Sequence, residues 1–345
     1  MKIASLLLVA GAALLASAAA AHPPYGLVAD RAGNVYFSDL ETIWRLAPDG
    51  RLSRFRPGDG AHIHELALAP DGAVEGDYNH YESETGIYRV GIWHRTPDGR
   101  ETWVLAPNGA PPKGIGLWQD RAGNRYTAQW VSNDDRRTML FRRSADGRVT
   151  LLFGPQDKAA KFREVLVSSV GAMAFPADGG LVLADGPVLR RVAPGGAAAI
   201  LYQGPAKASL RGLFAAPDGR ILAADMGRRI VVAVSPAGKA ETLYQETAAW
   251  LPTAVALAGP RLLVLEANAD SHDYVDRVRL VEATDGRSRV VAEPGRAAAA
   301  SPPPADPPAG GHPHAAAAMA VAAIAAAAAV GLGLRRLRDR RRALG

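Results

Sequence analysis

The densest group of chemically capable side chains in this sequence lies between His62 and Glu84. His62-Ile63-His64-Glu65 is followed by Glu75, Asp77, His80, Glu82 and Glu84. Imidazoles and carboxylates at this density are what general acid/base chemistry needs, and His-x-His beside acids is also a loose metal-ligand pattern. His64, Glu65 and His80 are the candidates for catalysis. A solvated polar connection accounts for the same residues, and their spacing does not choose between the two.

The elements that must position these residues are short. Gly26 to Phe55 reads as four runs of strand length, split by Arg31-Ala32-Gly33-Asn34, a break near Leu40, and Pro48-Asp49-Gly50. Four such antiparallel strands form one twisted sheet that cannot bury both faces alone. The first turn glycine returns at Gly72, Gly123, Gly179, Gly219 and Gly259, at intervals of roughly forty to fifty-five residues, near a propeller-blade period. The second turn returns at Asp98-Gly99, Asp146-Gly147, Gly195-Gly196, Ala237-Gly238 and Asp285-Gly286. Six units predict an all-β, six-bladed β-propeller over residues 22–292. Long helical crossovers, which parallel sheets require, are missing between these strands.

Gly26-Leu-Val-Ala-Asp-Arg-Ala-Gly-Asn-Val-Tyr-Phe-Ser-Asp39 and Arg211-Gly-Leu-Phe-Ala-Ala-Pro-Asp-Gly-Arg-Ile-Leu-Ala-Ala-Asp225 resemble the NHL-repeat propellers and the broader senescence-marker/gluconolactonase group. The resemblance covers about residues 24 to 292 and implies the fold. It leaves activity open, because such propellers serve as enzymes, receptors and scaffolds.

In an up-down-up-down blade, the start of the first strand and the end of the second share one face with the long connections. The two tight turns lie on the other. Function is therefore expected on the irregular face, where a rigid scaffold holds loops. Reading the residue before each first-strand glycine, or its equivalent, places Tyr25, His64, Lys113, Val170, Arg211 and Thr253 around the channel mouth. In gluconolactonase-like enzymes, the resemblance implies a Glu, an Asn and an Asp holding a divalent metal at the positions of Tyr25, Val170 and Arg211. Valine and arginine cannot replace oxygen ligands for a hard cation, so no metal is expected, and no other cofactor either.

What remains is Lys113 and Arg211 beside His64 and Tyr25, a set suited to a carboxylate, a phosphate or an acidic side chain. Gln129 and Asp225, at the ends of second strands, join this candidate ligand set. They share that position with Asp39, Tyr78, Asp185 and Glu266, where an aspartate commonly accepts backbone N–H groups of the next turn. The competing arrangement pairs Lys113 and Arg211 internally with Glu65, Asp185, Asp225 or Glu266.

Beyond the repeats, residues 1–21 read as a secretory signal peptide, and Lys158 to Val165 as a short amphipathic helix. Residues 293–314 form a Pro/Ala/Gly-rich linker. Residues 315–334 are an uncharged run of membrane-spanning length, and 335–345 a basic cytoplasmic tail. A Gly-Gly before an apolar run and arginines also suits a processed sorting tail. Six arginines against one aspartate there carry five of the six net positive charges. The propeller is then nearly neutral, which excludes nucleic acid as a partner. The chain has no cysteine, so no disulfide staples it. The expectation is an exported, membrane-anchored binding or scaffold module for a small anionic ligand or a protein partner. The alternative is a gluconolactonase-like hydrolase with a rearranged site around His64, Glu65 and His80.

Overall fold

Each blade is built from consecutive segments of chain. The computed structural model describes residues 23–82, 84–107, 116–130, 138–154, 172–268, 278–284 and 287–294. Within them lie six four-stranded antiparallel sheets, each in sequential strand order. The inner strands, in order, are Leu27–Ala29, Leu66–Leu68, Trp118–Gln119, Met173–Ala174, Leu210–Ala215 and Trp250–Ala258. The fold is an all-β six-bladed propeller, as the repeated turns predict. One unit, Met1–Glu82 with Ile87–Ala300, holds all of these strands. The other, Ser83–Gly86 with Ser301–Gly345, is described only at the turn 84–86. The signal segment 1–21, Lys158 to Val165, the linker beyond Pro294, the apolar run 315–334 and the tail 335–345 lie outside the described residues. Among the described residues, no helix is long and apolar enough to cross a membrane.

Alternation along each second strand supplies both blade interfaces, since successive side chains point to opposite faces. In blade one, Val35 and Phe37 pack with Ala254, Ala256, Leu263 and Leu265 of blade six. Tyr36, between them, packs with Val74 and Trp93 of blade two. Blades one and six each keep four strands of their own, so the ring closes by side-chain packing, without an exchanged strand. The chain just before blade one adds a tie to blade two, where the Tyr25 N–H donates to the His64 carbonyl at 2.7 Å.

Blade two departs from the expected polar connection. Its second and third strands, Val74–Glu82 and Ile87–Arg95, pair residue by residue from Val74↔Arg95 to Glu82↔Ile87. The acids Glu75 and Asp77 therefore sit within a strand, and both are buried. Burial of carboxylates is tolerable only with partners. Glu75 accepts from Arg125 of blade three at 2.8 and 2.9 Å and faces His94 Nδ1 at 3.0 Å. Asp77 finds backbone donors.

Candidate functional site at the channel mouth

Asp77 sets the geometry. Its Oδ1 accepts the backbone N–H groups of His64 and Glu65, each at 2.8 Å. Its Oδ2 lies 3.3 Å from His64 Nδ1 and accepts from Asn79 Nδ2 at 2.5 Å. One buried carboxylate thus fixes two successive residues at the start of an inner strand. The same corner receives Tyr25 through the His64 carbonyl. Arg211 arrives from blade five, its guanidinium 5.6 Å from the centre of the Tyr25 ring, in cation–π range.

Two protonation states are displaced here. Burial, reinforced by the charge of Asp77 and opposed by Arg211, pushes the Glu65 carboxyl up to about 8. Glu65 keeps some accessible surface because it lines the central cavity, but the surrounding protein withholds most of the solvation its charged form needs. For His64, burial pulls downward, yet the hydrogen bond and charge of Asp77 together outweigh it, and its pKa is raised. At neutral pH, Glu65 is therefore mainly a neutral acid able to donate a hydrogen bond, and it leaves most of the charge on Arg211 uncancelled.

Below this corner lies a cavity of about 370 Å³ reached by the inner strands of all six blades. Leu27, Leu66, Trp118, Met173, Phe214 and Val255 give it apolar walls. Tyr25 and Glu65 line this cavity and the Arg211 guanidinium lies over the Tyr25 ring; a guanidinium next to an apolar channel suits an anion whose body enters the channel.

The structure brings Tyr25, His64, Glu65 and Arg211 together and leaves other predicted residues apart. His80 lies on the opposite face of its strand from Asp77, with Nδ1 3.1 Å from the Gly60 carbonyl oxygen. It is not part of the corner, which corrects its grouping with His64 and Glu65. Asp225 is fully buried and serves its own turn. It accepts the N–H groups of Ser209 at 2.9 Å and Arg228 at 3.2 Å and pairs with Arg228 Nε at 2.6 Å. Asp39 plays the same part, accepting the N–H groups of Glu41 and Thr42 and the indole N–H of Trp44.

Internal pairing of Arg211 with Asp185, Asp225 or Glu266 does not occur. These acids are engaged by Arg190, Arg228 and Arg279 at 3.0, 2.6 and 2.7 Å. Among the described residues, no carboxylate lies within ion-pair distance of Arg211, and Glu65 acts on it only as a nearby charge. Thr253 is buried and its hydroxyl donates to the Leu265 carbonyl at 3.3 Å.

Gln129 belongs to the strand Arg125–Trp130, but its side chain is outside the described residues, as is Lys113. The turn Asp120–Asn124 repeats Asp30–Asn34, with the same N–H to carbonyl closures. Counting back from it puts Gly116 where blade one has Gly26. Gly116 also shows why glycine is needed there, since a Cβ would sit 1.7 Å from the Tyr126 carbonyl oxygen.

Asp77 and Asn79 were missed as site residues. Their signal is alternation, Glu75-x-Asp77-x-Asn79 along one face of a strand. Among the described residues, no group of three or more His, Cys, Asp or Glu side chains is disposed to hold a metal ion.

These features define the class as a six-bladed β-propeller with an open central channel. No protein-family model matches the chain, and no curated protein matches it. Among solved structures it is similar to a putative gluconolactonase, at 15% identity over 76% of this chain and 89% of that one, with a TM-score of 0.50. A gluconolactonase from Xanthomonas campestris follows at 12% identity, 69% and 81% coverage and TM-score 0.48. Virginiamycin B lyase from Staphylococcus aureus stands at 14%, 78% and 83%, and 0.44. The likeness to the putative gluconolactonase bears out the propeller fold that the repeats resemble, and at that identity it shows the fold alone.

Proposed function

We propose that the chain is an exported, membrane-anchored propeller that works as a binding module, taking a small anion at the channel mouth. The observation that carries this reading is Arg211. The neighbouring acids Asp185, Asp225 and Glu266 are taken by other arginines, and Glu65 is held mainly neutral at pH 7. The apolar cavity behind it supports an anion with an apolar body over a bare inorganic ion. Secretion and anchoring rest on residues 1–21 and 315–345 of the sequence.

Titration calorimetry of the purified chain with benzoate, against uncharged benzyl alcohol, tests the binding reading. Benzoate should bind and benzyl alcohol should not. Arg211→Ala should weaken benzoate by about 1.5–3 kcal/mol, the range of a charge-assisted hydrogen bond, with little change in melting temperature. Equal binding of both compounds, or an unaltered affinity in the variant, would refute it.

A second reading, a lactone hydrolase, draws support from the His64–Asp77 contact at 3.3 Å beside the Glu65 acid. It would use these groups without His80. Turnover of δ-gluconolactone by the wild type that Glu65→Gln abolishes would favour it over pure binding.

A further inference from the structure

The pentapeptide Asp-Arg-Ala-Gly-Asn occurs twice, at 30–34 and at 120–124. Both copies form the first turn of their blades, on the face opposite Arg211. In each, the aspartate is consumed locally. Asp30 accepts the Asn34 N–H at 2.8 Å, Asn34 Nδ2 at 2.7 Å and the Tyr36 hydroxyl at 3.2 Å. Asp120 accepts the backbone N–H groups of Ala122 and Asn124 at 2.9 Å, Asn124 Nδ2 at 2.8 Å and the Tyr126 hydroxyl at 2.8 Å. The acid of the turn between them, Asp71 in blade two, lies 3.2 Å from His94 Nε2.

Among the described residues, the arginines of the two turns have no such partners. Arg31 and Arg121 are exposed, and among the described residues neither has a carboxylate within ion-pair distance. Both line one depression of about 310 Å³, together with Leu68, Pro70, Gln119 and Asp120. Blade two offers Pro70 at the turn position that holds arginine in its two neighbours, and proline there fixes an uncharged floor. Blades four and five have Ala177 and Pro217 at that position. Arg121 and Gln119 also line the central cavity, which places the depression at the cavity's second mouth.

We infer that the depression between Arg31 and Arg121 is a second anion site, separate from Arg211, that takes a phosphate- or carboxylate-type oxyanion. Two like charges sharing one depression repel, and an oxyanion between them relieves the repulsion while its oxygens meet both planar forks. Asp30 and Asp120 keep their charge but spend their acceptor oxygens inside the turns, and among the described residues neither forms an ion pair that bridges the two guanidinium groups. The assignment does not depend on what binds at the other mouth.

The test is 31P line broadening and calorimetry of inorganic phosphate on the purified full chain at constant ionic strength. Arg31→Ala and Arg121→Ala should each weaken phosphate by roughly tenfold, as loss of a charge-assisted contact does, and Arg121→Lys should recover only part of it. Melting temperatures should not move, since both side chains are exposed. Arg211→Ala should leave in place the phosphate binding that Arg31→Ala and Arg121→Ala weaken, so failure here is separable from failure at the first mouth. No binding by the wild type, the same affinity in the double alanine variant, or a loss produced only by Arg211→Ala would each overturn the assignment.

Discussion

Replacing Glu65 by glutamine tests the electrostatic heart of the channel mouth. Glutamine keeps the shape and removes the charge. Raising the carboxyl from its ordinary 4.5 to about 8 corresponds to roughly 5 kcal/mol of preference for the neutral form. Solvent in the cavity screens part of that, leaving roughly 2–5 kcal/mol. The sign follows from linkage. An acid whose folded pKa lies above its unfolded value favours folding fully at pH below 4.5, and the advantage is lost as pH rises from there to about 8. His64, also raised, contributes stability below its unfolded value that fades as pH rises through its folded value. It is present in both proteins and cancels to first order in their difference. Urea unfolding of the purified chain, followed by tryptophan fluorescence, should therefore give similar stabilities for wild type and Glu65→Gln near pH 4. At pH 9 the variant should be the more stable by roughly 2–5 kcal/mol. Parallel loss of stability in the two proteins would mean that Glu65 is ionised at neutral pH. The charge on Arg211 would then be cancelled, and the anion-site argument would fall with it.

Other consequences are separate. Anion affinity at Arg211 should drop as pH rises through about 8, where Glu65 ionises; calorimetry with benzoate at pH 6 and pH 9 reads this, and a flat profile counts against it. Arg125→Ala strands the Glu75 carboxylate, which is 2% exposed, and should cost about 3–5 kcal/mol in denaturant unfolding; a loss below ~1 kcal/mol would show that His94 alone satisfies Glu75. Gly116→Ala would drive a methyl into the Tyr126 carbonyl and should lower the melting temperature by several degrees or abolish folding, whereas a wild-type melting curve would contradict the register derived for blade three. Protease added to spheroplasts should digest the propeller if it is exported and anchored, and protection would reject that topology.

Much of the fold was legible because a blade is a local object. Strand length, alternation and turn chemistry are short-range properties, so Gly33 at φ +83° and its equivalents mark the blades without knowledge of their partners. Six copies then force a ring, since no blade can cover its own faces. The Asp39 turn was legible for the same reason, because the donors to its carboxylate lie within five residues.

What the sequence left open depended on pairing across blades. Glu75 and Asp77 look like loop residues until Arg125, fifty positions away, and the backbone of His64 and Glu65 are placed beside them. His80 belongs by density to the same acidic cluster, yet strand alternation turns it to the other face. Which cations are spare is likewise a tertiary result. Arg190, Arg228 and Arg279 are drawn to the acids nearest them in the folded sheets, and Arg211, Arg31 and Arg121 are left facing the two mouths. Charge pairing is settled by distances of a few ångströms, and only the closed ring sets those distances.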